Sequence, residues 1–339
     1  MNPRPSRTGV IIVIPLLIVA ALAVWTYATR TTNSEDKWPP AVKRVDYPSQ
    51  ADASLQPAMF YAPASTEAKP LLVALHTWNG GYDQADSIDY AEWCMKQGWA
   101  FIHPHFRGAN NRPEAAGSPL VVADILSAVD YARGRTEIDQ NRIYLIGESG
   151  GGHAALLLAG RAPQVWAGVS AWVPVTDLTR FHAESSTSKQ RYAADIVAAC
   201  GGKPDKDSPA DLECRRRSPV TFLSRARAIA IDINAGIRDG HDRGGTVPIG
   251  HSLLAFNRLA AEPDRFSDAE IAQLERSAQV PASLRFASED PLYGGHRVLL
   301  RRQSGLARIT LFDGGHERIT SAGLAWLSAL PARAHAVTN

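Results

Sequence analysis

The sequence predicts an α/β fold: a mostly parallel central sheet with helices on both faces, interrupted by an insertion around residues 178–226. Three observations carry this expectation. Short continuous apolar runs such as Leu71-Leu72-Val73-Ala74-Leu75 read as strands covered on both faces. They alternate with amphipathic runs at βαβ spacing. One of them, Arg142–Ile146, runs into Gly147-Glu148-Ser149-Gly150-Gly151 and then the small-residue stretch Ala154–Ala159, so a strand turns sharply into a helix. The 339 residues are 45% hydrophobic and 21% charged, an ordinary globular balance with ample material for a core.

The N-terminus differs from the rest. Arg4 and Arg7 precede an uncharged apolar run from Gly9 to Ala28, close to the ~20 residues that span a bilayer. Two readings compete for residues 1–30. One is a cleaved secretory signal with Ala21-Leu22-Ala23 as its cleavage site. The other is an uncleaved membrane anchor whose basic flank stays in the cytoplasm. Both export residues 31–339, giving an extracytoplasmic protein. Residues 31–52 are polar and Pro-containing around Pro39-Pro40, and read as a linker to a domain over 53–339.

Along that domain, strands are expected over Ala53–Ala62, Pro70–His76, Trp99–Pro104, Arg142–Ile146, Trp166–Val175, Ala228–Gly236, Arg297–Arg302 and Ala307–Phe312. Helices are expected over Asp83–Gln97, Leu120–Ala132 and Gly250–Ala260. Ser267-Asp268-Ala269-Glu270 is a capping box that opens a further helix. Leu178–Ala226 breaks the rhythm: it is polar, with Arg215-Arg216-Arg217 and little strand signal, and is expected to lie over the active-site edge. Cys200 and Cys214 flank its loop at Gly201–Glu213, a candidate disulfide worth roughly 3 kcal/mol for a closure of this size. Cys94 falls on a helix and is expected to be buried. The net charge is only +2 with acids and bases interspersed, which argues against a nucleic-acid partner.

The Gly147–Gly151 turn has the context of a nucleophile elbow. Glycine at its ends relieves clashes that a Cβ would cause, and Ser149 then stands at a helix N-terminus, where negative charge is favoured. A serine hydroxyl needs a base, and the base needs an orienting acid. Of ten histidines, His316 follows the last strand behind Gly314-Gly315, where the last member of a Ser…Asp…His order falls. Asp239, directly after the Ala228–Gly236 strand, is the preferred acid. Asp242 in the same loop and Asp177 at the end of the preceding strand are the alternatives. The oxyanion hole needs two backbone donors: Gly150 N–H, and Trp78 or Thr77 from the loop after Leu71–His76. His103 and His105 flank Pro104 but lack a third matched ligand, so neither metal nor organic cofactor is expected. His153 is expected beside the elbow, and His241 and His251 beside the acid loop.

At these residues the chain resembles the α/β-hydrolase superfamily, and within it the prolyl oligopeptidase-like catalytic domain. The resemblance rests on Phe106-Arg107-Gly108, Ile138-Asp139-Gln140-Asn141-Arg142-Ile143, Gly147–Gly152, Arg217-Ser218-Pro219, Gly236-Ile237-Arg238-Asp239, Val247-Pro248 and Gly314-Gly315-His316, in that order. It implies the triad Ser149, Asp239 and His316, with Trp78 and Gly150 as the oxyanion hole. Two departures stand out. No propeller precedes Pro70 in this sequence. The acid loop carries extra residues over Gly240–Thr246, and Ala235 replaces the family's usual His. The resemblance implies a stand-alone serine hydrolase that cleaves esters or short peptides through an acyl-enzyme. The contrasting expectation is a non-catalytic binding or adhesion module on a hydrolase scaffold. A membrane association through residues 9–28 is expected under the anchor reading. The sequence leaves the oligomeric state and the choice between ester and peptide open.

Overall fold

A computed structural model describes residues 34–241, 246–286 and 288–333. The expected signal or anchor over 1–30 therefore lies outside the described residues, and so does the alternative acid Asp242. No helix among the described residues is long and apolar enough to cross a membrane. Ser34–Lys37 is a single 3-10 turn of a first unit ending at Trp38. The sheet and its helices belong to the second unit, from Pro39 onward.

In chain order the elements are β1 (Lys43–Pro48), β2 (Leu55–Tyr61), β3 (Lys69–Leu75), α1 (Ile88–Gln97), β4 (Ala100–Pro104), α2 (Pro119–Arg133) and β5 (Ile138–Glu148). They continue with α3 (Gly150–Arg161), β6 (Gly168–Trp172), α4 (Leu178–Thr187), α5 (Tyr192–Cys200), α6 (Pro209–Arg217), β7 (Ala230–Gly236) and α7 (Gly250–Leu259). The last are α8 (Asp268–Ser277), β8 (Val298–Ser304), β9 (Ala307–Phe312) and α9 (Thr320–Ser328). The nine strands form one sheet in the order β1-β2-β4-β3-β5-β6-β7-β9-β8. From β4 to β9 neighbouring strands are parallel, while β1, β2 and β8 run antiparallel at the two edges. Helices cover both faces, as the buried apolar runs require: Leu71–Leu75 and all five residues of β4 and β6 are buried.

One expectation is corrected. The stretch 43–52 is not linker, because Lys43–Pro48 pairs with β2 from Lys43↔Phe60 to Pro48↔Leu55. Its charged residues face solvent at the sheet edge, and Tyr47 alone of its side chains is fully buried. A strand so charged is suited to an edge and hides its period from sequence reading. The insertion is helical. The α4, α5 and α6 helices share an apolar cluster in which Val175, Leu178, Phe181, Ile196, Ala210 and Val247 surround Trp78. Cys200 and Cys214 are joined by a disulfide between α5 and α6, with Cα atoms 5.6 Å apart. Cys94 is free and buried in α1. The α8 helix opens on the Ser267–Glu270 capping box, with both reciprocal bonds present.

A charged cluster braces the loop after β4, toward the β1–β2 edge of the sheet. Arg107, in the left-handed backbone region after β4, places its guanidinium on Asp124 of α2 at 2.7 and 3.0 Å and on Asp52 at 2.9 and 3.0 Å. Asp124 is fully buried, and this bidentate pair satisfies it.

Candidate active site

Ser149 joins β5 to α3 at φ 55°, ψ −114°, a conformation that L side chains rarely adopt. Strain of this kind costs about 1–3 kcal/mol and persists where the surroundings over-determine it. Here they do. Ser149 N–H donates to the Trp172 carbonyl at 2.8 Å, and its own carbonyl accepts from His153 N–H at 2.9 Å. A Cβ on Gly147 would overlap the Gly151 carbonyl, so the turn closes only with glycine there.

Gly150 lies against the loop after β3, where an added Cβ would come 2.5 Å from Trp78 N and 2.6 Å from its Cα. Thr77 N–H is already engaged, donating to Gln84 Oε1 at 3.0 Å. Among the described residues neither Trp78 N–H nor Gly150 N–H has an acceptor. Two neighbouring peptide donors beside the serine are the arrangement that stabilises an oxyanion. Trp78 itself is held at both ends: its carbonyl accepts from Asn110 N–H at 2.9 Å, and its Nε1–H donates to Asp195 Oδ2 at 3.1 Å.

Asp239 is buried after β7, and His316 follows β9, the strand paired with β7. His316 Nδ1 stands 2.8 Å from Asp239 Oδ2, and Asp239 Oδ1 accepts from Val247 N–H at 3.0 Å. A carboxylate only accepts, so Nδ1 carries the proton and Nε2 is the nitrogen left for a second partner. The two loops meet because Gly236 has no side chain; a Cβ there would overlap the Gly315 carbonyl. Burial pulls the His316 pKa down. The hydrogen bond and charge of Asp239, with the charge of Glu148, outweigh it and leave the pKa above the usual 6.5.

Of the other acids, Asp177 caps α4 by accepting from Arg180 N–H at 3.1 Å. The remaining histidines divide by environment. His153 packs edge-on to Trp78, with Nδ1 3.0 Å from the Val175 carbonyl; burial pushes its pKa down to about 4 against that bond. His103 is pushed to about 3 by burial in β4, and His76 to about 4 at the end of β3. Among the described residues no group of three or more His, Cys, Asp or Glu side chains is placed to hold a metal. His241 is half-buried in the acid loop. His251 differs from expectation: it serves the insertion, with Nδ1 accepting from Thr176 N–H at 3.1 Å and Nε2 3.0 Å from Glu184 of α4.

Residues 87–204 match the model of the prolyl oligopeptidase family, a span that contains Ser149 but neither Asp239 nor His316. No curated protein matches the chain. Among solved structures, the acylaminoacyl peptidase of Pyrococcus horikoshii aligns at 16% identity and TM-score 0.52, over 64% of this chain and 34% of its own. A puromycin hydrolase aligns at 17% identity and TM-score 0.54, over 66% and 34%. A prolyl endopeptidase aligns at 20% identity and TM-score 0.51, over 71% and 36%. The fold is that of an α/β-hydrolase, and the likeness to the prolyl oligopeptidase family covers residues 87–204. The chain spans about a third of the length of those structures.

Two contacts of this site had no sequence signal. Arg318, two residues past His316, donates from Nη1 to Glu148 Oε2 at 2.6 Å and from Nη2 to Asp89 at 3.2 Å, and lies over Tyr90. It therefore ties the histidine loop to the residue before Ser149. The other is the bond from Trp78 to Asp195, across 117 positions of sequence.

Proposed function

We propose that the chain is a serine hydrolase acting on peptide or ester bonds through an acyl-enzyme. Ser149 Oγ attacks the substrate carbonyl while His316 Nε2 takes its proton. Asp239 holds the imidazole in the Nδ1–H tautomer and stabilises the imidazolium that forms. Trp78 and Gly150 N–H groups receive the negative oxygen of the tetrahedral intermediate. His316 then protonates the leaving group, and water repeats the sequence on the acyl-enzyme.

The observation that carries this reading is the 2.8 Å bond between buried Asp239 and His316, at strand ends on the same side of the sheet as a strained Ser149. Peptide substrates are favoured over simple esters by the resemblance to the prolyl oligopeptidase family over residues 87–204. The disulfide Cys200–Cys214 fits an oxidising compartment outside the cytoplasm, consistent with export through the N-terminal apolar run.

The test is turnover by the full chain of a p-nitrophenyl ester and of proline- and alanine-containing peptide amides, beside Ser149→Ala. Loss of all turnover in the variant, with fluorophosphonate labelling only of the parent, supports the assignment. Undiminished hydrolysis by Ser149→Ala refutes it. The ratio of peptide to ester rates decides the substrate class.

A further inference from the structure

We propose that Asp195, on the inserted helix α5, is a positioning residue that holds Trp78 so that its backbone N–H faces the oxyanion. This deepens the serine-hydrolase reading and rests on it. The loop from His76 to Gly80 carries the donor but has little structure of its own. Its backbone is pinned at the Trp78 carbonyl by Asn110 and at Thr77 by Gln84. The Trp78 side chain supplies the remaining restraint, and its only polar atom goes to Asp195 at 3.1 Å. An indole N–H is a donor only, so a buried Trp needs an acceptor at this point.

The insertion grips the same loop twice more. The Arg191 guanidinium, one position before α5, donates to Asn79 Oδ1. The rings of Phe181 and Tyr192 stand edge-on to Trp78 at 5.9 and 6.0 Å, while His153 of α3 closes another side at 6.3 Å. The helix that bears Asp195 is itself braced, since Cys200 at its end is bonded to Cys214 of α6. From α6, Arg217 Nη1 donates to the Ala115 carbonyl at 2.7 Å and anchors the insertion to the loop after Asn110. Thus the segment that interrupts the α/β rhythm fixes one of the two oxyanion donors, without itself contacting the reacting atoms.

Such positioning has a kinetic signature. A donor displaced by a fraction of an ångström weakens transition-state binding more than ground-state binding, so kcat falls while KM changes little. In the full chain with a p-nitrophenyl ester, Asp195→Ala is expected to lower kcat roughly tenfold or more. KM is expected to hold within about threefold. Asp195→Asn, whose amide oxygen still accepts the indole N–H, restores most of kcat. Trp78→Phe, which removes the indole N–H but keeps the backbone N–H, reproduces the Asp195→Ala loss, and combining the two adds nothing further.

The inference is overturned if Asp195→Ala retains the parent kcat while Ser149→Ala is inactive, if the Asn variant falls as far as Ala, or if the two losses multiply. Should Asp195→Ala not fold, as read by its thermal midpoint, the Asn variant and Trp78→Phe decide: parent-like kcat in Trp78→Phe overturns the proposal. Turnover that persists in Ser149→Ala instead strikes the underlying serine-hydrolase reading, so the two failures are distinct.

Discussion

Gly150→Ala tests the close approach on which the oxyanion pair depends. The new methyl carbon would stand 2.5 Å from Trp78 N, against at least 3.4 Å for ordinary van der Waals contact. One side must yield by about 0.9 Å. The elbow side is rigid: Ser149 is bonded at both its N–H and its carbonyl, and α3 is buried along its first eleven residues. The Trp78 loop is therefore the side that moves, carrying its N–H away from the site. Misplacing a catalytic group by about 1 Å costs on the order of 100-fold, and losing one oxyanion donor costs about 10²–10³ in kcat, or about 2.7–4 kcal/mol. The expected result is a kcat on the ester reduced about 100-fold, with Ser149 still present and the thermal midpoint only modestly lowered. Steady-state kinetics beside a melting curve reads both. A Gly150→Ala enzyme with kcat within about threefold of the parent would show that Trp78 N–H does not serve the reaction.

Other contacts make three more predictions. Because only neutral His316 accepts a proton from Ser149, and its pKa is raised above 6.5, kcat/KM should fall as pH drops through a midpoint above 6.5. Asp239→Asn should move that midpoint down while lowering kcat by about 10⁴, and an unmoved midpoint in a pH–rate profile would contradict the pairing. Arg107→Leu would leave Asp124 buried and unpaired, a loss of about 3–5 kcal/mol in urea unfolding at pH 7, largely recovered on adding Asp124→Leu; a loss below about 1 kcal/mol would argue against the pair. Replacing Cys200 and Cys214 together by Ser opens a closure of 14 residues and should cost about 3 kcal/mol by the same assay, whereas an unchanged midpoint would mean the insertion is held by its apolar cluster alone.

The parallel centre of the sheet was legible because burial on both faces writes continuous apolar runs, as at Leu71–Leu75 and Trp166–Val175. The elbow was legible because its geometry admits few residue types at Gly147 and Gly151. Lys43–Pro48 was not, since an edge strand needs only one well-buried side chain and its hydrogen bonds are made by backbone. The insertion's helices were hidden by polarity: α6 reads as a charged run, and its buried residues are Ala210, Asp211, Cys214 and Arg217, two of them charged. Asp239 stood among three candidates in the sequence, because only the fold brings its carboxylate to 2.8 Å from His316 and turns Asp177 to cap α4. The contacts from Trp78 to Asp195 and from Arg318 to Glu148 leave no trace in local pattern, because each joins side chains brought together only by the finished fold.

The elbow serine and the acid strand are separated by a single strand, β6, and one peptide group at its end, Trp172–Val173, serves both neighbours. The Trp172 carbonyl holds Ser149 N–H at 2.8 Å, while Val173 N–H donates to the Asn234 carbonyl of β7 at 2.7 Å. That single peptide acts as a ruler between Ser149 and the Asp239–His316 pair. The spacing is thus set by one planar peptide and two backbone hydrogen bonds rather than by side-chain packing, which tolerates change far more readily. Core substitutions in β6 that keep its pleat should alter stability while leaving the spacing of the reacting groups intact. A one-residue insertion at Val173 would put the two halves of the machinery out of register in a protein that still folds.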